Sequence, residues 1–374
     1  MVGEDGRAAI LHRLRPLNDS IGWRADLRES VSRWALDGES EAAFPAARLT
    51  DLGKIGLLGR FATVTPGEQT TDLLDTLRLV GGADLGLGRI FEGHVNAVQL
   101  VHAYGTPAQR ARLEGDLATG RTFGVWNTES VPGLTLARVP GGWRLNGMKM
   151  FATGTGYLDR ALVTARLAKG GKQMVVVDLT GRGDRADASG WAVRGMRGTV
   201  SGRFDFTGMI VDENALLGAT GDYEREPRFS AGAWRFTAVQ LGAIEALVRY
   251  LRSHLLTSDK GEDAIQRTRF AGCAAAARTA GMWVVRAAQS AEAGGADAIP
   301  MVMMTRGIVE DAGLAVMEAT ARAVGTAAFF TANPIDRITR DLGLYLRQPA
   351  PDAARVRAGA AWLAADPWTD DPWW

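Results

Sequence analysis

The chain predicts an α+β multidomain protein: a helical N-terminal domain over residues 1–116, a central antiparallel β-barrel or sandwich over 117–225, and a C-terminal helical bundle over 226–374. Three observations predict it. Apolar residues recur three and four apart as far as about residue 115, and from about 118 the period shifts to two. After "ENALLGATGDYEREP" the helical period returns and persists almost to the end.

In the first block, "LRESVSRWALDG" and "QTTDLLDTLRLVGGADLGLGRIFEGHVNAVQLVHAYG" carry the helical spacing, with glycine-rich breaks between them. The second block contains "RTFGVWNTES", "GGWRLNGMKMFAT", "DRALVTARL", "KQMVVVDLTG", "WAVRGMRG" and "GRFDFTGMIV", each bounded by Gly, Asn, Asp or Pro turn signals. Within it, the "NG" of Asn146 and Gly147 is read as turning one strand into the next. Gly154 and Gly156 then leave room for a bulge or a close backbone approach. In the third block Ile244, Leu247, Val248, Leu251 and Leu255 form one stripe. The runs "FAGCAAAARTAGMWVVRAAQSAEA" and "MVMMTRGIVEDAGLAVMEATARAVGTAAFF" are apolar on several faces, which suits a bundle packed against other bundles in a homodimer or homotetramer. The tail "ADPWTDDPWW" is read either as a disordered end or as a segment docked on a neighbouring domain or subunit.

With 374 residues, 46% of them apolar, the chain is long enough to bury sizeable cores. Its 43 basic and 42 acidic residues nearly cancel, so the pull toward nucleic acid or anionic membrane is absent and small molecules or protein subunits are the expected partners. A single cysteine, Cys273, sits in an alanine-rich helical run as a small apolar filler and allows no disulfide framework. The N-terminus lacks a signal-peptide pattern and no uncharged apolar run is long enough to span a bilayer, so a cytoplasmic location is expected.

Motif searches remove several chemistries. There is no G-x-x-x-x-G-K-[ST] loop, and "GLGRIF" and "GTGYLD" both miss the last glycine of the dinucleotide fingerprint. The histidines His12, His94, His102 and His254 show no metal-ligand spacing, no carboxylate cluster resembles a calcium loop, and no G-x-S-x-G elbow presents a serine. No metal site is expected.

Four strings in order carry a resemblance. "YGTPAQRARLEGDLATGRTFGVWNTES" is similar to a Gly-Thr-x-x-Gln-(Lys/Arg) helix leading into a strand that ends in Thr-Glu-Pro. "LNGMKMFATGTG" is similar to Leu-Asn-Gly-x-Lys-x-(Trp/Tyr)-Ile-Thr-Asn-(Gly/Ala). "GMRGTVSGRFDFTGMIVDENALLG" and "VGTAAFFTANPIDRITRDLGLY" match the later strings, the second at a Gly-Gly-x-Gly-Tyr, Pro, Arg-x-x-Arg-Asp pattern. Together, over nearly the whole chain, they resemble the acyl-CoA dehydrogenase family.

That resemblance implies a helical N-terminal domain, a central β domain and a C-terminal four-helix bundle, with a flavin, usually FAD, held between the β domain and the bundle. It places Trp126, Thr128, Phe151, Thr153 and Gly325 at the flavin. An isoalloxazine is a flat aromatic that asks a protein for apolar walls and a few donors aimed at its polar edge, and residues of these types meet that need.

The departures bear on the reaction. Family dehydrogenases use a glutamate to take a proton beside the thioester carbonyl, about eight residues after Arg-Asp in most members, where this chain has Gln348 and Pro349. In a minority it lies near the start of the first C-terminal helix, where "FSAGAWRFTAV" has no acid. Glu245 further along that helix, and Glu224 or Glu226 before it, are the carboxylates left as substitutes. The serine that helps hold the FAD pyrophosphate is Leu134 here, and the Arg-x-x-Phe-Gly string of the dimer-related site is missing after "VRYLRSHL". FMN, or reduced flavin exchanged with a separate reductase, therefore stands beside FAD.

Three functions follow from this resemblance. One is a dehydrogenase acting on the CH-CH group of an acyl thioester such as an acyl-CoA, with an electron carrier as partner. The second is a monooxygenase or oxidase using reduced flavin and oxygen, with a flavin reductase as partner, which the missing glutamate favours. His94 is its acid/base candidate. The third is a non-catalytic binding or assembly subunit.

Overall fold

The structure is a computed structural model that describes residues 22–36 and 43–365. His12 and the three tryptophans of the tail lie outside the described residues. In chain order come helices α1 (Gly22–Leu36), α2 (Ala46–Lys54), α3 (Leu57–Arg60), α4 (Glu68–Ala83), α5 (Leu85–Tyr104) and α6 (Pro107–Ala118). The strands are β1 (Phe123–Trp126), β2 (Thr135–Val139), β3 (Gly142–Asn146), β4 (Met148–Ala152), β5 (Arg160–Leu167), β6 (Lys172–Asp178), β7 (Ala186–Asp187), β8 (Gly202–Asp205), β9 (Met209–Val211) and β10 (Leu216–Leu217). Helices α7 (Arg228–Ala231), α8 (Trp234–Thr257), α9 (Ala264–Ala293), α10 (Ala298–Val324), α11 (Pro334–Tyr345) and α12 (Pro351–Ala364) follow. The described residues fall into two units, neither of them contiguous: those within 1–63, 89–192 and 197–225 form the first, and those within 64–88, 193–196 and 226–374 the second.

The first unit is built on its strands. β10, β6, β5, β2, β3 and β9 lie in that order in one sheet with β1 added beside β5, and β4, β8 and β7 form a second sheet. The "GTPAQR" string starts α6 with a capping box in which the Thr106 hydroxyl accepts from the Gln109 amide at 3.2 Å, and Pro107 fits the first helical turn. The Gln109 side chain reaches on to the carbonyls of Asn214 and Leu216, at 2.8 and 2.7 Å, tying the helix start to β10. Val98, Val101, Leu113, Phe123, Leu162, Met174 and Leu217 then close a core between α5, α6 and the larger sheet.

Two sequence expectations change here. The sheet is not purely antiparallel: β1 and β2 each pair with β5 in parallel. Parallel neighbours need a long crossover, and period-two alternation records which face a residue takes but not the direction of its neighbour. The "NG" of Asn146 and Gly147 does turn β3 into β4, and because β3 pairs with β2 and β9 while β4 pairs with β8, the turn hands the chain from one sheet to the other. Gly147 has φ +110°, and a Cβ there would lie 2.4 Å from the Gly133 carbonyl oxygen. Finally, "WAVRGMRG" forms no strand. Two of its backbone groups are satisfied by side chains of α11 instead, the Met196 amide by Asp341 and the Arg194 carbonyl by Arg340.

In the second unit α8, α9 and α10 pack on one another, with α4 and α11 on α8 and α12 on α10. The α8 stripe is inward as its spacing predicts, with Ile244, Leu247, Leu251 and Leu255 buried. Cys273 is buried in α9 and burial pushes its thiol pKa up, in keeping with a packing role. Among the described residues no helix is long and apolar enough to cross a membrane, and no group of three or more His, Cys, Asp or Glu is placed to hold a metal.

Candidate functional site

The first unit presents a small aromatic wall at the end of β4. Pairing between β4 and β8 shifts register between Met150 and Ala152, and the bulge turns Phe151 out of the ladder with φ 52°. A left-handed phenylalanine costs about 1–2 kcal/mol, and such strain persists where the surroundings hold it. Half of the Phe151 surface, 51%, faces solvent, and its ring meets Trp191 edge to face at 6.3 Å.

Behind this ring, hydroxyls form a short ladder: Thr153 Oγ1 lies 3.0 Å from Ser201 Oγ, which lies 2.8 Å from Thr199 Oγ1. The Thr199 carbonyl accepts from the Gly154 amide at 2.8 Å as the chain turns away. Gly154 has φ +74° with the Leu158 side chain 2.7 Å from where a Cβ would sit, so the turn is closed to larger residues.

Trp126 does not form part of the exposed wall. It is 1% exposed, packs on Phe204 and Phe206, and donates its indole N–H to the Thr153 carbonyl at 3.0 Å. It supports Thr153 from behind. Thr128 is exposed at the strand end, where its carbonyl accepts from the Met150 amide at 3.2 Å.

Lys149 is a residue that the sequence reading passed over. It is fully buried, and its ammonium donates to Asn127 O at 3.0 Å, Glu129 Oε1 at 2.9 Å and Thr164 Oγ1 at 3.1 Å. Glu129 also accepts the Leu134 amide at 2.9 Å, and Thr164 donates to Asn127 Oδ1 at 2.6 Å. The ammonium is saturated, and burial still pulls its pKa down, with Glu129 opposing. The network pins the chain on either side of Thr128 to β4 and β5. Strict alternation would put Phe151 on the same buried face as Lys149, and the bulge reverses this. The readable signal was the coincidence of Asn127, Glu129 and Thr164 with a lysine in an otherwise apolar strand.

His94 lies in the core of the first unit. Its Nδ1 accepts from the Phe123 amide at 3.1 Å, so Nε2 carries the proton and donates to Leu58 O at 2.7 Å. It is completely buried between the rings of Phe91 and Phe123, and burial lowers its pKa to about 4. Both nitrogens are committed to backbone.

In the second unit the substitute carboxylates are also engaged. Glu245 on α8 faces Arg78 of α4 at 3.6 Å, and Glu226 accepts from the Ser230 amide at 2.9 Å and faces Arg357. In the first unit Glu224 pairs with Lys172 at 2.7 Å. Gly325 caps α10 with φ +76° and opens a turn beyond which Phe329 and Phe330 are exposed. Leu134, at the serine position of the resemblance, is wholly buried and offers no polar group.

Where the resemblance would put a catalytic acid, the structure puts a cation. Arg306 on α10 donates to the Pro349 carbonyl, and its guanidinium sits 5.4 Å above the ring of Phe236, which lies in "FSAGAWRFTAV". One side chain thus touches both segments in which family dehydrogenases carry their glutamate. Its other contact is Met303 Sδ at 3.4 Å. Burial, with Arg357 nearby, pulls the guanidinium pKa down to about 10 against the opposing charge of Glu310, so it remains charged at neutral pH. Arg306 lies more than a helix length from Pro349 in sequence, and nothing in the local spacing marks it.

No protein-family profile matches the chain. A dibenzothiophene monooxygenase of Rhodococcus qingshengii is 26% identical over 217 residues, covering 54% of this chain and 52% of that protein. The chain spans about half the length of the curated relatives it matches. Among solved structures, TdsC from Paenibacillus sp. A11-2 in complex with FMN and indole superposes with TM-score 0.79 at 19% identity, over 91% of this chain and 97% of that one. Glutaryl-CoA dehydrogenase from Mycobacterium smegmatis superposes with TM-score 0.78 at 18% identity, over 92% and 94%. The fold is therefore that of acyl-CoA dehydrogenase-like flavoproteins, a group whose neighbours here include both dehydrogenases and monooxygenases.

Proposed function

We propose that the chain is a flavin-dependent monooxygenase on the acyl-CoA dehydrogenase fold, taking reduced flavin from a separate reductase and oxidising a small organic substrate with oxygen. One observation carries the reading: at both segments where a dehydrogenase needs a carboxylate base, the contacts are those of Arg306, and no substitute acid is free. Proton abstraction beside a thioester requires such a base, whereas oxygen transfer does not. The likeness to dibenzothiophene monooxygenases supports the same reading.

The residues present fit a flavin ring. Phe151 and Trp191 offer an apolar aromatic face, and the Thr153 hydroxyl, held by Ser201, offers a donor beside it. Leu134 offers nothing to a pyrophosphate, which favours FMN over FAD as the cofactor. Reduced flavin, when bound, supplies the two electrons with which one atom of O2 enters the substrate and the other leaves as water. The chain's own part is to hold the ring against Phe151, to keep Thr153 fixed through Trp126 and Ser201, and to exclude water with apolar walls. His94 acts by position, joining α5 to β1 and the α3 segment through two backbone bonds.

The deciding experiment supplies the purified protein with FMN, a reductase with NADH, and oxygen, and follows oxygenation of indole and dibenzothiophene probes. Product formed only with the reductase is the expected result. Flavin that bleaches anaerobically on addition of an acyl-CoA would instead identify a dehydrogenase, and failure to bind FMN or FAD a non-catalytic protein.

A substitution separates the wall's role from its strain. Phe151→Gly is expected to weaken FMN binding roughly 10-fold through the lost aromatic face. The same change relieves a left-handed side chain at an exposed position, so stability should hold or rise by up to about 1 kcal/mol. Fluorescence titration of FMN and a denaturant melt together check both halves.

A further inference from the structure

We infer that Arg306 is a specificity residue which binds an anionic oxygen group on the substrate, so that the preferred substrates are small organic oxyanions such as carboxylates or sulfinates. The inference deepens the monooxygenase reading and rests on it. Its basis is an imbalance of charge around the segment that joins α11 to α12. Arg347 pairs with Glu310 at 2.6 Å, Arg355 with Glu310 and Asp311 at 3.1 and 2.7 Å, and Arg357 with Glu226 at 3.4 Å. Arg306 stands among them, and no carboxylate of the described residues pairs with it.

A guanidinium has five N–H donors in a fixed fork. Arg306 directs one amino group at the Pro349 carbonyl and the other at a thioether, a weak acceptor. Its flat face rests on Phe236, which in turn meets Tyr345 at 6.4 Å, so the cation is seated on an aromatic floor that takes no hydrogen bond from it. A partly buried cation that no carboxylate touches, and on which Glu310 acts only at a distance, is poorly solvated and gains from an oxyanion, most of all from a planar one that accepts two parallel bonds. Met303 and Phe236 would lie beside the apolar part of such a molecule.

Arg306 also has a structural duty, clamping Pro349, so the test must read charge preference and not activity alone. The full-length protein, with and without FMN, is titrated with benzoate, benzenesulfinate and benzamide, which share a ring and differ in charge. The expected result is a 10- to 100-fold preference for the two anions. In Arg306→Gln the preference should vanish while the melting temperature stays close to wild type. If that variant does not fold, Arg306→Lys carries the test: it keeps the charge, loses the fork, and should lose part of the preference. Equal binding of the three probes, binding of none, or a preference undiminished in whichever variant folds would overturn the inference. The titrations require no turnover. Charge preference without oxygenation would count against the monooxygenase reading alone, and oxygenation without charge preference against Arg306 alone.

Discussion

Lys149→Met should lower stability by roughly 3 kcal/mol, because it removes the cation from a buried network and leaves its acceptors behind. Three acceptors lose a donor at once: a backbone carbonyl, a carboxylate and a hydroxyl. Thr164 keeps its bond to Asn127 and Glu129 retains some access to water, which places the loss at the low end for a buried pair. A melting temperature lower by roughly 5–10 °C is the expected reading. The double variant Lys149→Met with Glu129→Leu removes both charges, and should be no less stable than the single change, since an unpaired carboxylate is then absent. Additive losses would mean that the two residues do not act as one network. Because the Met150 amide is bonded to Thr128 at the same place, the single variant should also bind FMN more weakly.

The second large effect is a pH dependence. His94 titrates near 4 in the folded protein and near 6.5 when unfolded, because burial disfavours the charged ring. The unfolded state therefore binds the extra proton through this window, and stability falls as pH drops from 6.5 to 4. Above 6.5 both states are neutral at this site and nothing is lost. By pH 4.5 the loss amounts to about 2.5 kcal/mol. His254 is also shifted downward by burial and adds in the same direction, so the clean measurement is a difference between proteins. His94→Gln should be less stable than wild type by about 2 kcal/mol at pH 7.5, from two weakened bonds to backbone. That gap should close or invert by pH 4.5. Denaturant melts at the two pH values suffice, and a gap that does not change with pH would show that His94 is not held neutral. Asp178 and Asp205 have carboxyl pKa values already below the usual range, so the stability they contribute is lost only at still lower pH and does not blur the comparison.

Much of this was legible where periodicity carries information. The helix, strand, helix order and the buried α8 stripe from Ile244 to Leu255 follow from spacing alone, because burying one face imposes it. What escaped the sequence depends on pairing and on distant contacts. A bulge after Met150 changes which side of β4 Phe151 occupies, and no residue type announces it. The parallel partners of β5 are invisible to an alternation that reads only faces. The segment from Trp191 to Gly198 alternates like a strand, but its Arg194 carbonyl and Met196 amide find their hydrogen bonds on α11. Residue identity alone does not give placement: Trp126 and His94 are types suited to a cofactor site, and each bonds a backbone group in the core. Arg306 shows the converse, an unremarked residue made important by the company it keeps.

The division of the chain has a practical side for anyone who would cut it. Helix α4 precedes every strand, yet it packs along α8, which follows them all, and the fit is close enough that Gly81 and Gly82 lie against the backbone of Val239 and Gly242. A fragment that stops before α8 leaves α4 with its apolar side uncovered, and one that begins at α8 exposes the groove where α4 belongs. On the ribosome, α4 has to wait through the synthesis of all ten strands before its partner emerges. Supplying α4 as a separate peptide to the C-terminal segment, and asking whether the two recombine, would turn that delay into a measurable folding step.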